Sequence, residues 1–331
     1  MWPDFLTWGI PLVKHLSMSD AAHNSLEIVR LAGLLKAGKL VAFPTETVYG
    51  LGADATNSEA VLSIYETKGR PRFNPLIVHC ADLEMAETLV EFSPLARRLA
   101  AFWPGPLTLV LPKKSGAKLS DLVTAGLDTV GVRVPAHPLA LALIRAAGTP
   151  LAGPSANPSG RLSPTTAEQV RKGFHGLVPV LDGGPCASGV ESTILAVAGE
   201  KVTQLRAGAL PRAEIEAAIG QSVAVAEENA AIAAPGMLSS HYAPNAGLRL
   251  DAAAPGPGEA WLAFGPEPVN PLGPMRNLSP TGDLREAARH LFWMLHELDA
   301  LAEKIAVAPI PHTGLGEAIN DRLRRAAAPR P

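Results

Sequence analysis

The stretch ETKGRPRFNPLIVH, Glu66 to His79, sets Lys68, Arg70 and Arg72 within five positions, with Pro71, Asn74 and Pro75 around them. Proline fixes its own φ and restricts the residue before it, so these cations project from a pre-shaped turn. Rigid cations suit a polyanion. Arginine offers a planar fork to phosphate and lysine a point charge, and each charge-assisted hydrogen bond is worth about 1.5–3 kcal/mol. A solvated surface loop accounts for the same residues without any ligand, so the stretch has to be weighed with the rest of the chain.

Three further stretches carry polar groups after an apolar run. FPTETVYGLGADA, Phe43 to Ala55, presents Thr45, Glu46, Thr47 and Tyr49 ahead of two glycines, and glycine lets a ligand approach backbone amides. It is not a P-loop, because GxxxxGK[ST] is absent. AGPSANPSGRLSPTTAEQV, Ala152 to Val170, offers Ser155, Asn157 and Ser163 as neutral donors for phosphate or ribose, with Thr165 or Thr166 placed to cap a following helix. DGGPCASGVESTILAV leads through a Gly-rich turn to Ser192 and Thr193 at a strand start, and LRAG adds Arg206 after the next strand. Decorated turns and caps explain some of these residues, but their recurrence favours a site.

Arg133 lies inside the apolar run TVGVRVP, which opens at Thr129. A strand-embedded arginine needs an anion, since burying an unpaired charge is costly, and a ligand carboxylate or an internal salt bridge would serve equally. His79 ends a strand, a position at which a structural histidine is the commoner case. Cys80 and Cys186 have no histidine or aspartate placed to activate them and read as inert packing or loop cysteines.

Positioning these groups requires an alternation of strand and helix. KLVAFP, PLIVH, LTLVLP, TVGVRVP, TPLAG, VPVLD and STILAV read as strands; SEAVLSIYETKG, LEMAETLVEF and HPLALALIRAAG read as helices. The alternation is not strict, which predicts a mixed twisted sheet rather than a parallel one. Ahead of it, Leu26, Val29, Leu34 and Leu35 recur at helical spacing and Gly38 is placed to end that helix. Residues 1–21, with two tryptophans and no basic leader, read as an N-terminal extension. The main domain is expected over 22–211 and a linker rich in Ala, Pro, Gly and Ser over 212–247. A small Rossmann-like α/β domain is expected over 248–331, with LRLDAA, AWLAFG and RNLSP as strands and DLREAARHLFWMLHELDALA as a long helix. Within the linker, PGMLSSHYAP is too patterned for a spacer, and we expect it to fold back over the site as a lid carrying Tyr242.

At 331 residues, 47% hydrophobic and 18% charged, the chain can bury a large core in two domains. A formal net charge of −2 excludes wholesale coating of nucleic acid while leaving room for a local basic groove. Two distant cysteines argue against a disulfide framework or a structural zinc, no metal-ligand cluster is apparent, and no apolar run is long enough to span a membrane. A cytoplasmic protein is expected.

Taken in order, FPTETVYGLG, KGRPRFNPLIVH, WPGPLTLVL, VGVRVPAHP, GPSANPSG, GVESTIL and LRAG, followed by APGMLSSHYAP and GLGEAINDRLRRAA, resemble the YrdC/YciO-type threonylcarbamoyl-AMP synthases in their two-domain form, over roughly residues 24–327. The departures are the N-terminal extension and APGM, where an initial serine is common. The resemblance implies that L-threonine, bicarbonate or CO2, and ATP with Mg²⁺ condense to threonylcarbamoyl-AMP and pyrophosphate, which makes the enzyme a nucleotidyltransferase. Downstream enzymes then pass the threonylcarbamoyl group to adenosine 37 of transfer RNA, with at most weak tRNA contact by this chain. The family's Lys-x-Arg and Ser-x-Asn signature falls on Lys68, Arg70, Ser155 and Asn157. ATP is then expected at those four with Arg72, Asn74, Thr129, Ser163, Arg206 and Tyr242, and threonine at Thr45, His79, Arg133 and Ser192 or Thr193. No residue is assigned as general base. One alternative is an RNA-binding module without catalysis, which predicts a steep salt dependence. A hydrogenase-maturation protein that uses carbamoyl phosphate carries a similar domain, but two isolated cysteines leave no room for its zinc-binding CxxC pairs.

Overall fold

The computed structural model describes residues 18–227, 233–237, 240–266 and 273–329, with side chains from residue 24 onward. The main domain runs α1 (Met18–Lys36), β1 (Val41–Phe43), β2 (Gly50–Asp54), α2 (Ser58–Lys68), β3 (Ile77–His79), α3 (Leu83–Glu87), α4 (Pro94–Leu99), β4 (Leu107–Pro112), α5 (Asp121–Thr124), β5 (Thr129–Arg133) and α6 (Pro138–Ala147). It continues with β6 (Leu151–Ala152), α7 (Ala167–Gly173), β7 (Thr193–Ala198), β8 (Lys201–Arg206), α8 (Arg212–Ile219) and β9 (Ala224–Val225). The second unit comprises β10 (Gly247–Arg249), β11 (Ala260–Ala263), β12 (Met275–Asn277), α9 (Leu284–Asp299), β13 (Lys304–Val307) and α10 (Leu315–Ala327).

Among the described residues the strands form a nine-stranded sheet, in the order β1-β2-β6-β3-β5-β4-β7-β8-β9, and a four-stranded one, β10-β13-β11-β12. The large sheet is mixed, with parallel β3/β5, β4/β7 and β8/β9 pairs and antiparallel neighbours elsewhere. The small sheet is parallel throughout, the Rossmann-like arrangement expected for the second domain.

Strand alternation divides the large sheet into a core face and a site face. Leu107, Leu109 and Leu111 of β4, Val130 and Val132 of β5, and Leu195 and Val197 of β7 join one hydrophobic core with α2, α4 and α8. Ile77, Val110 and Ile194 point the other way, where Ala234 of the linker covers them. The same face carries the pocket described below.

Several expectations change. Val178–Asp182 is not a strand; Val180 makes only an isolated bridge to Ala42. The helix predicted over LEMAETLVEF stops at Glu87, and a second short helix starts at Pro94 behind a Ser93 cap. Residues 212–225, placed in the linker by composition, form α8 and the edge strand β9, which pairs with β8 in the large sheet. In α1, Leu26 and Val29 are exposed, whereas Leu31, Ala32 and Leu35 are buried against Leu143 and Ile144 of α6. Of the proposed extension, residues 18–21 are helical and residues 1–17 lie outside the described residues. Thr166, not Thr165, caps α7, in a reciprocal capping box with Gln169.

Candidate active site

A pocket opens on the site face. Register builds its floor. His79 of β3 lies directly opposite Arg133 of the parallel strand β5, so both side chains enter the pocket side by side. β7 runs antiparallel to β5 two strands away, which brings Ser192, just before β7, to the same edge, and the β7/β8 pair adds Arg206 opposite Ile194.

One end of the pocket has the groups for a small amino acid. Arg133 donates through Nε to the Gly105 carbonyl at 3.1 Å and through Nη1 to the Thr47 hydroxyl at 2.9 Å. Its Nη2 lies 2.7 Å from Glu46 Oε1, an ion pair between two mostly buried groups that lacks the alignment of a hydrogen bond. The internal salt bridge weighed for Arg133 therefore exists, and Arg133 also lines the pocket. Thr45 accepts from the Thr47 and Val48 amides and donates to the Val48 carbonyl at 2.6 Å, closing the turn that holds Thr47 against Arg133. His79 is buried against the Phe43 ring, and its Nδ1 has no hydrogen-bond partner among the described residues. Burial, and then the neighbouring Arg133, lower its pKa to about 3, so the imidazole is neutral at physiological pH. Alternation brings Ser192 rather than Thr193 to the pocket. Ser192 lines the pocket and hydrogen-bonds Thr108 at 2.8 Å, while Thr193 turns away to donate to the Leu210 carbonyl at 2.6 Å.

The other end is cationic. Arg70 is buried, holds the Asn74 and Pro75 carbonyls at 3.1 and 2.8 Å, and lines the pocket. Its pKa falls to about 10, burial being the larger cause. Arg206 holds the Ser192 carbonyl at 2.9 Å and the Pro235 carbonyl at 3.3 Å. Lys68 is buried and does not line the pocket; its ammonium donates to the carbonyls of Ser155, at 2.5 Å, and Asn157. Burial and the adjacent Arg70 push its pKa well below the ordinary lysine range. The Lys-x-Arg and Ser-x-Asn stretches are thus joined to each other, with Lys68 shaping the loop from which Ser155 faces the pocket. Asn157 donates to the Pro158 and Arg161 carbonyls, and Ser163 donates to Glu191; neither lines the pocket.

Besides Lys68, Asn157 and Ser163, three further residues expected at the nucleotide do not line this pocket. Arg72 is exposed, so the loop contributes two inward cations rather than three. Asn74 is 1% exposed, with both amide atoms unpartnered among the described residues, and its carbonyl accepts from Arg70, but it does not line the pocket. Thr129 shares the site face of β5 with Arg133 but borders an adjoining hollow with Ile77, Thr108 and Ala233–Pro235.

The linker forms the roof. Pro235, Gly236, His241 and Tyr242 line the pocket, and the Ala243 amide donates to the Gly160 carbonyl at 2.7 Å, tying the linker to the Ser155–Ser163 loop. Behind them stand residues that sequence reasoning missed. Glu191 lines the pocket and pairs with Arg322 of α10 at 2.7 Å. Glu191 lay within GVESTIL and Arg322 within the terminal motif; the available signal was a charged pair, Asp321–Arg322, interrupting the apolar face of a helix. Cys80 and Cys186 are free and buried, and burial raises both thiol pKa values, as inert cysteines require.

The donor set does not fit a divalent cation held by protein side chains. Among the described residues no three His, Cys, Asp or Glu converge, and the pocket's own carboxylate, Glu191, is engaged by Ser163 and Arg322. No helix among the described residues is long and apolar enough to cross a membrane.

Comparison with known proteins places this architecture. A family model named for Sua5, YciO and YrdC, described as telomere recombination, matches residues 33–208, and one described as the threonylcarbamoyl-AMP synthase C-terminal domain matches 210–328. The chain is 40% identical to threonylcarbamoyl-AMP synthase of Bacillus subtilis across 98% of both proteins. The crystal structure of Pyrococcus abyssi Sua5 complexed with L-threonine superposes with a TM-score of 0.84 at 39% identity, covering 92% of this chain and 94% of that one. A putative threonylcarbamoyl-AMP synthase of Mycobacterium tuberculosis, 40% identical, aligns over 98% of its own length with only 64% of this chain. The chain belongs to the Sua5/YciO/YrdC family, as a two-domain member of the Sua5 type.

Proposed function

We propose that this protein is a threonylcarbamoyl-AMP synthase that condenses L-threonine, bicarbonate or CO2, and ATP, releasing pyrophosphate and supplying the threonylcarbamoyl group for adenosine 37 of transfer RNA. The observation that carries the reading is one pocket with an amino-acid end at Arg133, His79, Thr45 and Ser192, and a polyanion end at Arg70 and Arg206. The relatives named as this synthase and the L-threonine complex of the Pyrococcus protein support it.

In this reading Arg133 offers its remaining N–H donors to the threonine carboxylate while Glu46, Thr47 and the Gly105 carbonyl hold the guanidinium in place. The neutral amine of threonine adds to CO2 and loses a proton, giving a carbamate. A carbamate oxygen then attacks the α-phosphorus of ATP as the bond to pyrophosphate breaks. The protein's contribution is to align the two ends and to neutralise charge on the phosphates through Arg70 and Arg206. Lys68 acts by holding the Ser155–Asn157 loop. Magnesium, which the described side-chain donors do not fit, would enter with the nucleotide and neutralise charge on its phosphates. In the same reading His79, neutral and with an Nδ1 unpartnered among the described residues, hydrogen-bonds the amine or hydroxyl end of threonine.

The test is pyrophosphate release with ATP, Mg²⁺ and bicarbonate against single amino acids. A signal that requires threonine supports the synthase. RNA binding that falls steeply with salt and no pyrophosphate release would instead support a non-catalytic RNA module.

A further inference from the structure

The second domain meets the pocket's wall from behind, at Glu191 and Tyr242. Arg322, on α10, is 1% exposed; its Nε meets Glu191 Oε2 at 2.7 Å and its Nη1 meets Asp321 at 2.6 Å. Its guanidinium carbon lies 5.1 Å from the centre of the Tyr242 ring, within cation–π range. Glu191, held at one oxygen by Arg322, accepts at the other from Ser163. Glu191 and Tyr242 both line the pocket, whereas Arg322 does not.

Tyr242 needs such support. Its φ is +62°, a left-handed conformation that a bulky residue keeps only when its surroundings over-determine it. Those surroundings are Phe292 of α9, whose ring centre is 5.7 Å away, Arg322 and the Ala243–Gly160 bond. The Tyr242 hydroxyl, buried and unpartnered among the described residues, lies beside Gly236 and Arg206 at the cationic end.

We propose that Arg322 is a positioning residue of the synthase: by holding Glu191 and Tyr242 it sets the wall of the pocket at the nucleotide end, so that the C-terminal domain is a structural part of the active site. The inference rests on the reading of the cationic end as the ATP site. It gives the C-terminal domain a function at the site, because Ser163 holds only one oxygen of Glu191 and Arg322 holds the other.

The test separates positioning from folding. Removing one partner of a buried ion pair leaves an uncompensated charge, whereas replacing both with groups of similar volume is often neutral for stability. The double variant Glu191→Gln/Arg322→Met is expected to melt within about 3 °C of wild type. Its Kd for ATP, measured by equilibrium dialysis without threonine, should rise about 10-fold, with the KM for threonine changed by less than about 2-fold. Arg322→Lys keeps the buried charge but loses the planar fork, and should show the same split; it decides the matter alone if the double variant does not fold. An unchanged ATP Kd in a folded variant, or equal losses for ATP and threonine, would overturn the proposal. Arg70→Ala in the same dialysis tests the underlying reading. If Arg70→Ala weakens ATP and the Arg322 variants do not, only the positioning role fails; if Arg70→Ala has no effect, the assignment of the nucleotide end fails as well.

Discussion

His79 is 4% exposed between Arg133 and the Phe43 ring, and its proton affinity follows from that placement. In the unfolded chain it titrates near 6.5, in the folded protein at about 3. Above pH 6.5 neither state binds the proton and stability is unaffected. Between pH 6.5 and 3 the unfolded state takes up a proton that the native state refuses, so stability falls with pH. At pH 5 the loss is about 2 kcal/mol, and His79→Gln should abolish that part of the acid sensitivity in urea unfolding at pH 7.5 and 5. An identical pH dependence in the variant would refute the buried neutral imidazole. Arg133→Lys, in contrast, keeps a charge beside Glu46 but loses the fork that spans Glu46, Thr47 and Gly105. It should raise the KM for threonine about 10-fold and that for ATP much less; equal changes in steady-state kinetics would mark a purely structural salt bridge. Residue type was enough to flag Arg133 as needing an anion, because burial of an unpaired guanidinium is prohibitive. It was not enough to name Glu46, since pairing depends on where the turn closed by Thr45 lies against β5. Arg72 was misplaced for a similar reason: prolines make a loop stiff but do not say which of its side chains face inward.

The helix α1 and the linker show which local patterns survive folding. Periodicity predicted a helix before Gly38, and one is present, but its buried stripe is Leu31, Ala32 and Leu35 rather than one that includes Leu26 and Val29. Several apolar residues at near-helical spacing define more than one face, and only α6 chooses between them. Leu31→Ala should therefore cost about 2–5 kcal/mol in chemical unfolding and Leu26→Ala under about 0.5 kcal/mol; comparable losses would contradict the observed facing. In the linker, composition concealed α8 and β9, whose few residues are stabilised by pairing with β8 and by core contacts of Ile215 and Ile219 rather than by propensity. PGMLSSHYAP was legible as a docking element because a histidine, an aromatic and flanking prolines are unnecessary in a tether. Gly236 is its point of closest approach to the cationic end: φ is +85°, and a Cβ there would sit 2.7 Å from both Arg206 Cδ and the Tyr242 hydroxyl. Gly236→Ala should displace both groups, raising the KM for ATP about 10-fold while lowering stability by only about 1 kcal/mol. A variant with native ATP kinetics would mean that the linker does not shape the pocket.

The two domains share a core. Val48, Leu162, Val190 and Ala209 belong to the loops that frame the pocket, yet they pack with Tyr242, Leu262, Phe292, Ile305 and Ile319 of the linker and second domain. Gly189, φ +74°, brings the loop before Glu191 so close to α9 that a Cβ would fall 2.4 Å from the Ala288 carbonyl. Arg289 reaches back to the Ala187 carbonyl at 3.0 Å, and Arg212 pairs with Glu317 at 3.1 Å. None of this was legible in the sequence. Two domains were, because the linker composition marks a boundary, but a shared core depends on loop residues that look like ordinary hydrophobic punctuation. The Mycobacterium relative aligns over 98% of its own length with only 64% of this chain, so a substantial part of this chain has no counterpart in that match. In this chain the apolar rim of the site has been committed to the partner domain, which predicts that the two domains unfold together. Cys80 and Cys186 provide the probe, since both thiols are buried in the core of the first domain. Ile305→Ala, deep in the second sheet, should cost about 2–5 kcal/mol. If the native state opens as one cooperative unit, labelling of both cysteines by a thiol reagent should accelerate by at least about 30-fold, the population shift equivalent to 2 kcal/mol. Labelling at the wild-type rate, in a variant whose second domain is measurably destabilised by hydrogen exchange, would show that the domains open independently despite their common core.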